Sequence, residues 1–166
     1  MKSLIPATQH PRSTSTTTVV FHSLGYEQSE QEDYLRRLRQ HKVSVVVDVR
    51  DVPLSRKRGF SKNQLREALA QAGIEYVHVQ TLGAPKELRD SLRAGGSWWN
   101  YVKQYTSKVL SRRGEDIDLL IDLATRERIS LLCFEREPRE CHRSLVADEM
   151  VKRGNGHNLQ IEHIRY

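Results

Sequence analysis

Two stretches of this 166-residue chain concentrate acids, bases and a thiol at close spacing. In the first, DVRDVPLSRKRGFSK, the cations Arg50, Arg56, Lys57, Arg58 and Lys62 stand against Asp48 and Asp51, with Pro53 and Gly59 shaping the backbone. Guanidinium forks match the oxygens of phosphate or carboxylate in a bidentate way, so this density reads as an anion-binding loop. Phe60 within it either stacks on a base or packs down as an anchor. In the second, LLCFEREPRECHRS, Glu135, Cys141, His142 and Arg143 follow an apolar run. Asp48 and Glu135 together supply the paired acids that proton-transfer or glycosyl chemistry employs, if their environments push their pKa values apart.

Each feature has a plainer reading. The basic loop is otherwise a solvated charge run, and the two acids otherwise hold Arg50 and Arg143 in place. Pro138 suits a first helical turn, which would set Cys141, His142 and Arg143 in or just after that turn, where free N–H groups favour anions and thiolates. Cys141 and Arg143 are only two apart, however, which is not the spacing of a phosphatase loop. Cys133 reads as a small buried hydrophobe within a strand. His78, Glu135, Cys141 and His142 are the residues from which a zinc site would be drawn, but no close ligand pair of the HxxxH or CxxC kind is present, so neither metal nor cofactor is expected. His22 and His163 read as structural, and Trp98, Trp99 and Tyr101 as core packing in preference to a base-stacking platform.

Strands and helices alternate around these stretches. VVFHSL at 19–24, VSVVVDV at 43–49, IEYVHV at 74–79, ISLLCFE at 129–135 and LQIEHI near the end read as five strands, of which VSVVVDV and ISLLCFE carry the continuous apolar runs of buried ones. Val43–Val49 reads as the central one. Between them, Tyr34, Leu35 and Leu38 have helical spacing, Ser61 precedes a helix with Leu65, Ala68, Leu69 and Ala72 on one face and Gly73 as its stop, and CHRSLVADEMVKRG from Cys141 reads as a helix ending at Gly154. Residues 80–128 hold three further amphipathic segments, a helical insertion between strands 3 and 4.

This alternation predicts an α/β fold: a mostly parallel five-stranded sheet in a three-layer, Rossmann-like arrangement. Ligands of such sheets bind beyond the carboxyl ends of the strands. Tyr26, Asp48, Arg50, His78, Glu135, Cys141, His142 and Arg143 all follow strand ends, so one rim should gather them. Residues 1–18, with their STSTTT run, read as a disordered polar leader and 19–166 as a single domain. No run approaches the roughly 18–20 apolar residues of a membrane span, and two cysteines are too few for a secreted disulfide framework, so a cytoplasmic protein with reduced thiols and no membrane partner is expected. The net charge of +6 raises the expectation of a phosphate-bearing partner, small molecule or nucleic acid. Only Lys2 and Arg12 of the excess lie in the leader.

Four ordered motifs, SLGYE, DVRDVPLSRKRGFSK, GIEYVHVQTLGAP and LLCFEREPRECHRS, resemble the family defined as domain of unknown function 488 from about residue 19 to 164. The resemblance implies fold and site and carries no reaction. It points to Gly25, Tyr26, Asp48, Arg50, Pro53, Arg56, Gly59, Phe60, His78, Leu82, Gly83, Glu135, Cys141, His142 and Arg143. Ala84 departs from the pattern, where a second glycine is common, which puts the conformation of that loop in question.

The resulting expectation is a hydrolase or transferase acting on a nucleotide or nucleic-acid component. Arg50, Arg56, Arg58, Phe60, His142 and Arg143 would bind substrate, Asp48, Glu135 or Cys141 would carry the chemistry, and Tyr26 and His78 would orient the substrate. The alternatives are a nucleic-acid-binding module, with the 50–66 loop, Arg112, Arg113 and Arg126 tracking a backbone, and a cysteine-dependent transferase.

Overall fold

In the computed structural model, which describes residues 17–166, the apolar runs pair into one five-stranded sheet of order β3-β2-β4-β1-β5. The strands are β1 (Thr18–Gly25), β2 (Val45–Asp48), β3 (Glu75–His78), β4 (Ile129–Cys133) and β5 (Asn158–His163). Every pairing is parallel. β2 and β4 are buried along their whole length because helices cover both faces, which is why neither alternates with polar residues. The centre of the sheet falls to β4, with β2 an interior strand beside it, because β4 inserts between β1 and β2. The leader expected over 1–18 lies outside the described residues except at its end, where Thr18 already opens β1.

Helices α1 (Gln31–Gln40) and α2 (Lys62–Gln71) lie on one face, burying Tyr34, Leu38, Leu65 and Leu69 against Leu24, Val46 and Leu132. The insertion supplies α3 (Lys86–Arg93), α4 (Trp98–Lys108) and α5 (Gly114–Arg126). With α6 (His142–Arg153) these cover the opposite face, packing on Phe21, Val47 and Leu131. The chain therefore leaves β1 and β2 toward one layer and β4 toward the other. A crevice opens at such a divergence, beyond the carboxyl ends of the strands.

Ser61 stands at the N-cap of α2, yet its hydroxyl caps nothing. Its Oγ accepts from Ser55 N (3.1 Å) and donates to Ser55 O (3.2 Å), closing the basic loop on itself. Pro138 opens a separate 3-10 turn, Pro138–Glu140, instead of α6, so Cys141 becomes the α6 N-cap and His142 its first residue. Gly154, at φ +59°, ends α6.

Candidate functional site

Asp48 closes β2 and is fully buried. Its carboxylate accepts from the Arg50 backbone N–H (3.0 Å), Arg50 Nε (2.9 Å) and Nη2 (2.6 Å), and the Tyr76 hydroxyl (2.6 Å). The remaining guanidinium nitrogen of Arg50, Nη1, donates to Tyr26 Oη (2.9 Å) and Phe60 O (2.8 Å). Phe60 stacks on Tyr26 with ring centroids 4.3 Å apart and nearly parallel. Burial alone would lower the Arg50 pKa, but the carboxylate of Asp48 raises it above the ordinary value; burial and the same carboxylate raise Tyr76. A buried ion pair is tolerated only when its other polar atoms are also bonded, and here they are.

This saturation changes the roles expected of several residues. Asp48 and Arg50 brace each other. Phe60 is wholly buried between Tyr26 and Tyr34 and so anchors the loop; it offers no face to a base. His78 lies behind the network, with Nε2 on Arg50 O (2.8 Å) and Nδ1 facing Lys62 Nζ (3.4 Å), and it does not line the crevice. Arg58 turns away to a separate surface groove, because Gly59 at φ +89° reverses the chain and Gln31 holds its carbonyl. Arg143 is fully buried, and its guanidinium donates to Ser23 Oγ (3.2 Å), Glu135 O (2.5 Å) and Arg136 O (3.0 Å). It shapes the turn after β4 and has no fork left for a phosphate.

The second stretch is assembled differently. Gly25 passes directly beneath the Glu135 carbonyl, so close that a Cβ would sit 1.8 Å from that oxygen. The turn thereby settles over β1, and Cys133, Glu135, Cys141 and His142 converge. The Cys133 thiol donates to Glu135 Oε2 at 3.2 Å and lies 3.7 Å from His142 Nδ1. His142 Nε2 sits 2.7 Å from Val49 O, a contact that requires a proton on Nε2 and turns Nδ1 toward the sulfurs. Burial, then the negative charge of Cys141, lifts Glu135 to about 7. Burial opposes the Cys141 thiolate, yet the adjacent Cys133 thiol and the positive charges of His142 and Arg143 bring its pKa well down.

A family model described as "Domain of unknown function DUF488" matches residues 30–150. The chain belongs to this family. No curated protein and no solved structure matches it. The position where this DUF488 chain departs from the motif, Ala84, is buried and lacks the positive φ that would demand glycine. The neighbouring Gly83 is the constrained one, since a Cβ there would lie 2.3 Å from the Asp51 backbone.

Between the two stretches of the DUF488 domain lies a cavity of about 540 Å³. Tyr26, Arg50, Arg56, Glu135 and His142 line it, as does Cys133, whereas Cys141 lies just behind. Arg56, Lys57, Arg89 and Arg93 form its cationic wall. The ion pairs there are loose: Lys57 to Glu30 and Arg93 to Asp90 at 3.7 Å, Arg89 to Asp51 at 3.4 Å. Arg89 and Arg93 are lining residues that the sequence does not single out, and Cys133 and Tyr101, expected as packing residues and buried as such, reach the lining as well. Two signals were available: Cys133 and Glu135, two apart along a strand direction, share a side, and Arg89 and Arg93 share a face of α3. Tyr101 is buried and stacks between Trp98 and Tyr105, whereas Trp99 is 71% exposed. Among the described residues, no helix is long and apolar enough to cross a membrane.

Proposed function

We propose that the DUF488 chain is an enzyme acting on a phosphate-bearing small molecule, a nucleotide or nucleic-acid component, held in the cavity between the β2 loop and the β4 turn. The observation that carries this reading is the pairing of cations with a half-buried acid: Arg56, Lys57, Arg89 and Arg93 line the same cavity as Glu135 and Cys133. The volume suits a ligand of nucleotide size. Loose ion pairs at the wall yield readily to an anionic ligand, because solvent-exposed pairs contribute about 1 kcal/mol or less. Glu135 would move a proton to or from the reacting group, which places the reaction among hydrolytic or group-transfer steps.

The test begins with mass-spectrometric identification of small molecules retained by the purified chain, followed by titration with nucleoside monophosphates and diphosphates. Arg56→Ala combined with Arg93→Ala should weaken such binding by roughly tenfold or more, about 1.4 kcal/mol. Glu135→Gln should retain binding and lose turnover. Absence of any phosphate-bearing ligand, or affinity indifferent to the double substitution, overturns the reading. A module that only binds nucleic acid would instead show affinity falling steeply with salt and would tolerate Glu135→Gln. Arg126, one of the residues assigned to such a track, is held by Asp122 on its own helix.

A further inference from the structure

We propose that Cys133, Cys141 and His142 form a zinc-binding site whose fourth coordination position opens into the cavity beside Glu135. The three donor atoms are buried and lie within 4.8 Å of one another. Sulfur and nitrogen ligands on a tetrahedral zinc, at about 2.3 Å and 2.0–2.1 Å from the metal, stand roughly 3.6 Å apart. The Cys133 Sγ to His142 Nδ1 separation is 3.7 Å. That pair already sits at the spacing a zinc ion bridges, and the Cys141 sulfur lies within 4.8 Å of both.

The surroundings resemble those of a metal-bound histidine. Its second nitrogen is fixed on the Val49 carbonyl at 2.7 Å, which sets the tautomer and leaves Nδ1 as the donor. Ligating imidazoles are oriented by such outer hydrogen bonds. Cys133 ends the central, fully buried strand β4, and Cys141 and His142 sit at the start of α6, so both arms of the site are held by regular elements. Two thiolates and a dication sum to zero charge, which makes a buried site of this composition electrostatically tolerable. Borderline and soft donors of this kind favour zinc over magnesium or calcium, which take oxygen ligands.

The cavity decides what kind of site this is. Cys133, His142 and Glu135 line it and Cys141 does not, so a metal held by the three ligands faces the cavity. Three protein ligands with an accessible fourth position is the arrangement of zinc sites that hold water or substrate, in contrast to the closed four-ligand structural kind. Glu135, whose Oε2 is 3.2 Å from Cys133 Sγ, is placed to accept a hydrogen bond from whatever occupies that position.

The full chain, purified with a phosphine reductant and stripped of metal, is titrated with zinc against a chromophoric chelator and then with cobalt as a spectroscopic substitute. One equivalent per chain is expected, with thiolate-to-cobalt charge transfer and intense tetrahedral bands. Cys133→Ser, Cys141→Ser and His142→Ala should each weaken binding by more than the roughly 10- to 100-fold typical of losing an outer-sphere partner. Glu135→Gln should keep the metal, and added azide should shift the cobalt bands.

Failure of the wild-type chain to bind zinc stoichiometrically, weak octahedral bands, or affinity unmoved by all three substitutions overturns the site. Loss of metal in Glu135→Gln comparable to loss of a ligand overturns the open position. Because the wild-type measurements need no variant, a substitution that impairs folding does not blunt the test. No step uses a phosphate ligand, so failure here leaves the anion-binding reading standing, and the converse also holds.

Discussion

The loop after β2 and the turn after β4 end on the same rim and carry similar residue types, yet they leave their polar atoms in opposite states. Around Asp48 and Arg50, carboxylate and guanidinium nitrogens are bound by Tyr26, Tyr76, Phe60 and each other. At Cys133, Glu135 and His142, thiol, carboxyl and imidazole meet next to open space. Side chains of similar chemistry therefore diverge in role: a saturated network closed off from solvent fixes geometry, whereas groups lining open space can still meet a ligand. Arginine provides the sharpest instance. Arg50 and Arg143, the obvious anchors for an anion, are spent on the fold, and the cavity wall falls to Arg56, Arg89 and Arg93.

The contrast can be broken most forcefully at Asp48. Asp48→Ala strands a buried guanidinium, and urea unfolding should register a loss of about 3–5 kcal/mol, the range for removing one partner of a buried pair. A loss under 1 kcal/mol would mean that the β2 network is not structural.

Next in size is Glu135→Gln, which should change folding stability by less than about 1 kcal/mol while turnover of the cavity's substrate falls at least roughly 100-fold, close to 2.7 kcal/mol of barrier. A large stability loss with turnover intact would reverse the roles of the two regions. Tyr76→Phe removes one donor from a carboxylate that keeps its others, and should lower the unfolding free energy by about 1.5 kcal/mol.

The smallest effect sharpens the comparison instead of breaking it. Arg89→Ala loses a loose, partly exposed pair with Asp51, and its stability cost should stay within about 1 kcal/mol in the same denaturation assay, although anion affinity should drop.

Local patterns foretold much of this. β-branched runs announced β1, β2 and β4, helical spacing announced the three helices of the insertion, and strand-end placement announced the rim. Phe60, Arg58, Arg143 and His78 read by type as substrate-facing and do not line the cavity, because burial and backbone direction decide whether a side chain has a free face, and neither is visible along the chain. Cys133 reads along the chain as a packing residue and is buried at the end of β4 as that reading expects, but its place beside the cavity is not legible there. Its partners, Cys141 and His142, arrive only after the chain has turned at Pro138 and entered α6.

From the amino-acid order alone came the alternation of strand and helix, the parallel sheet it requires and the family, since these depend on short-range periodicity and ordered motifs. Tertiary structure decided which of the charged and nucleophilic groups are consumed in holding one another and which remain available. That outcome rests on distances of a few ångströms between β2, β4 and α6, set by how the layers pack, and hydrogen-bond saturation at such distances is a property of the assembled domain.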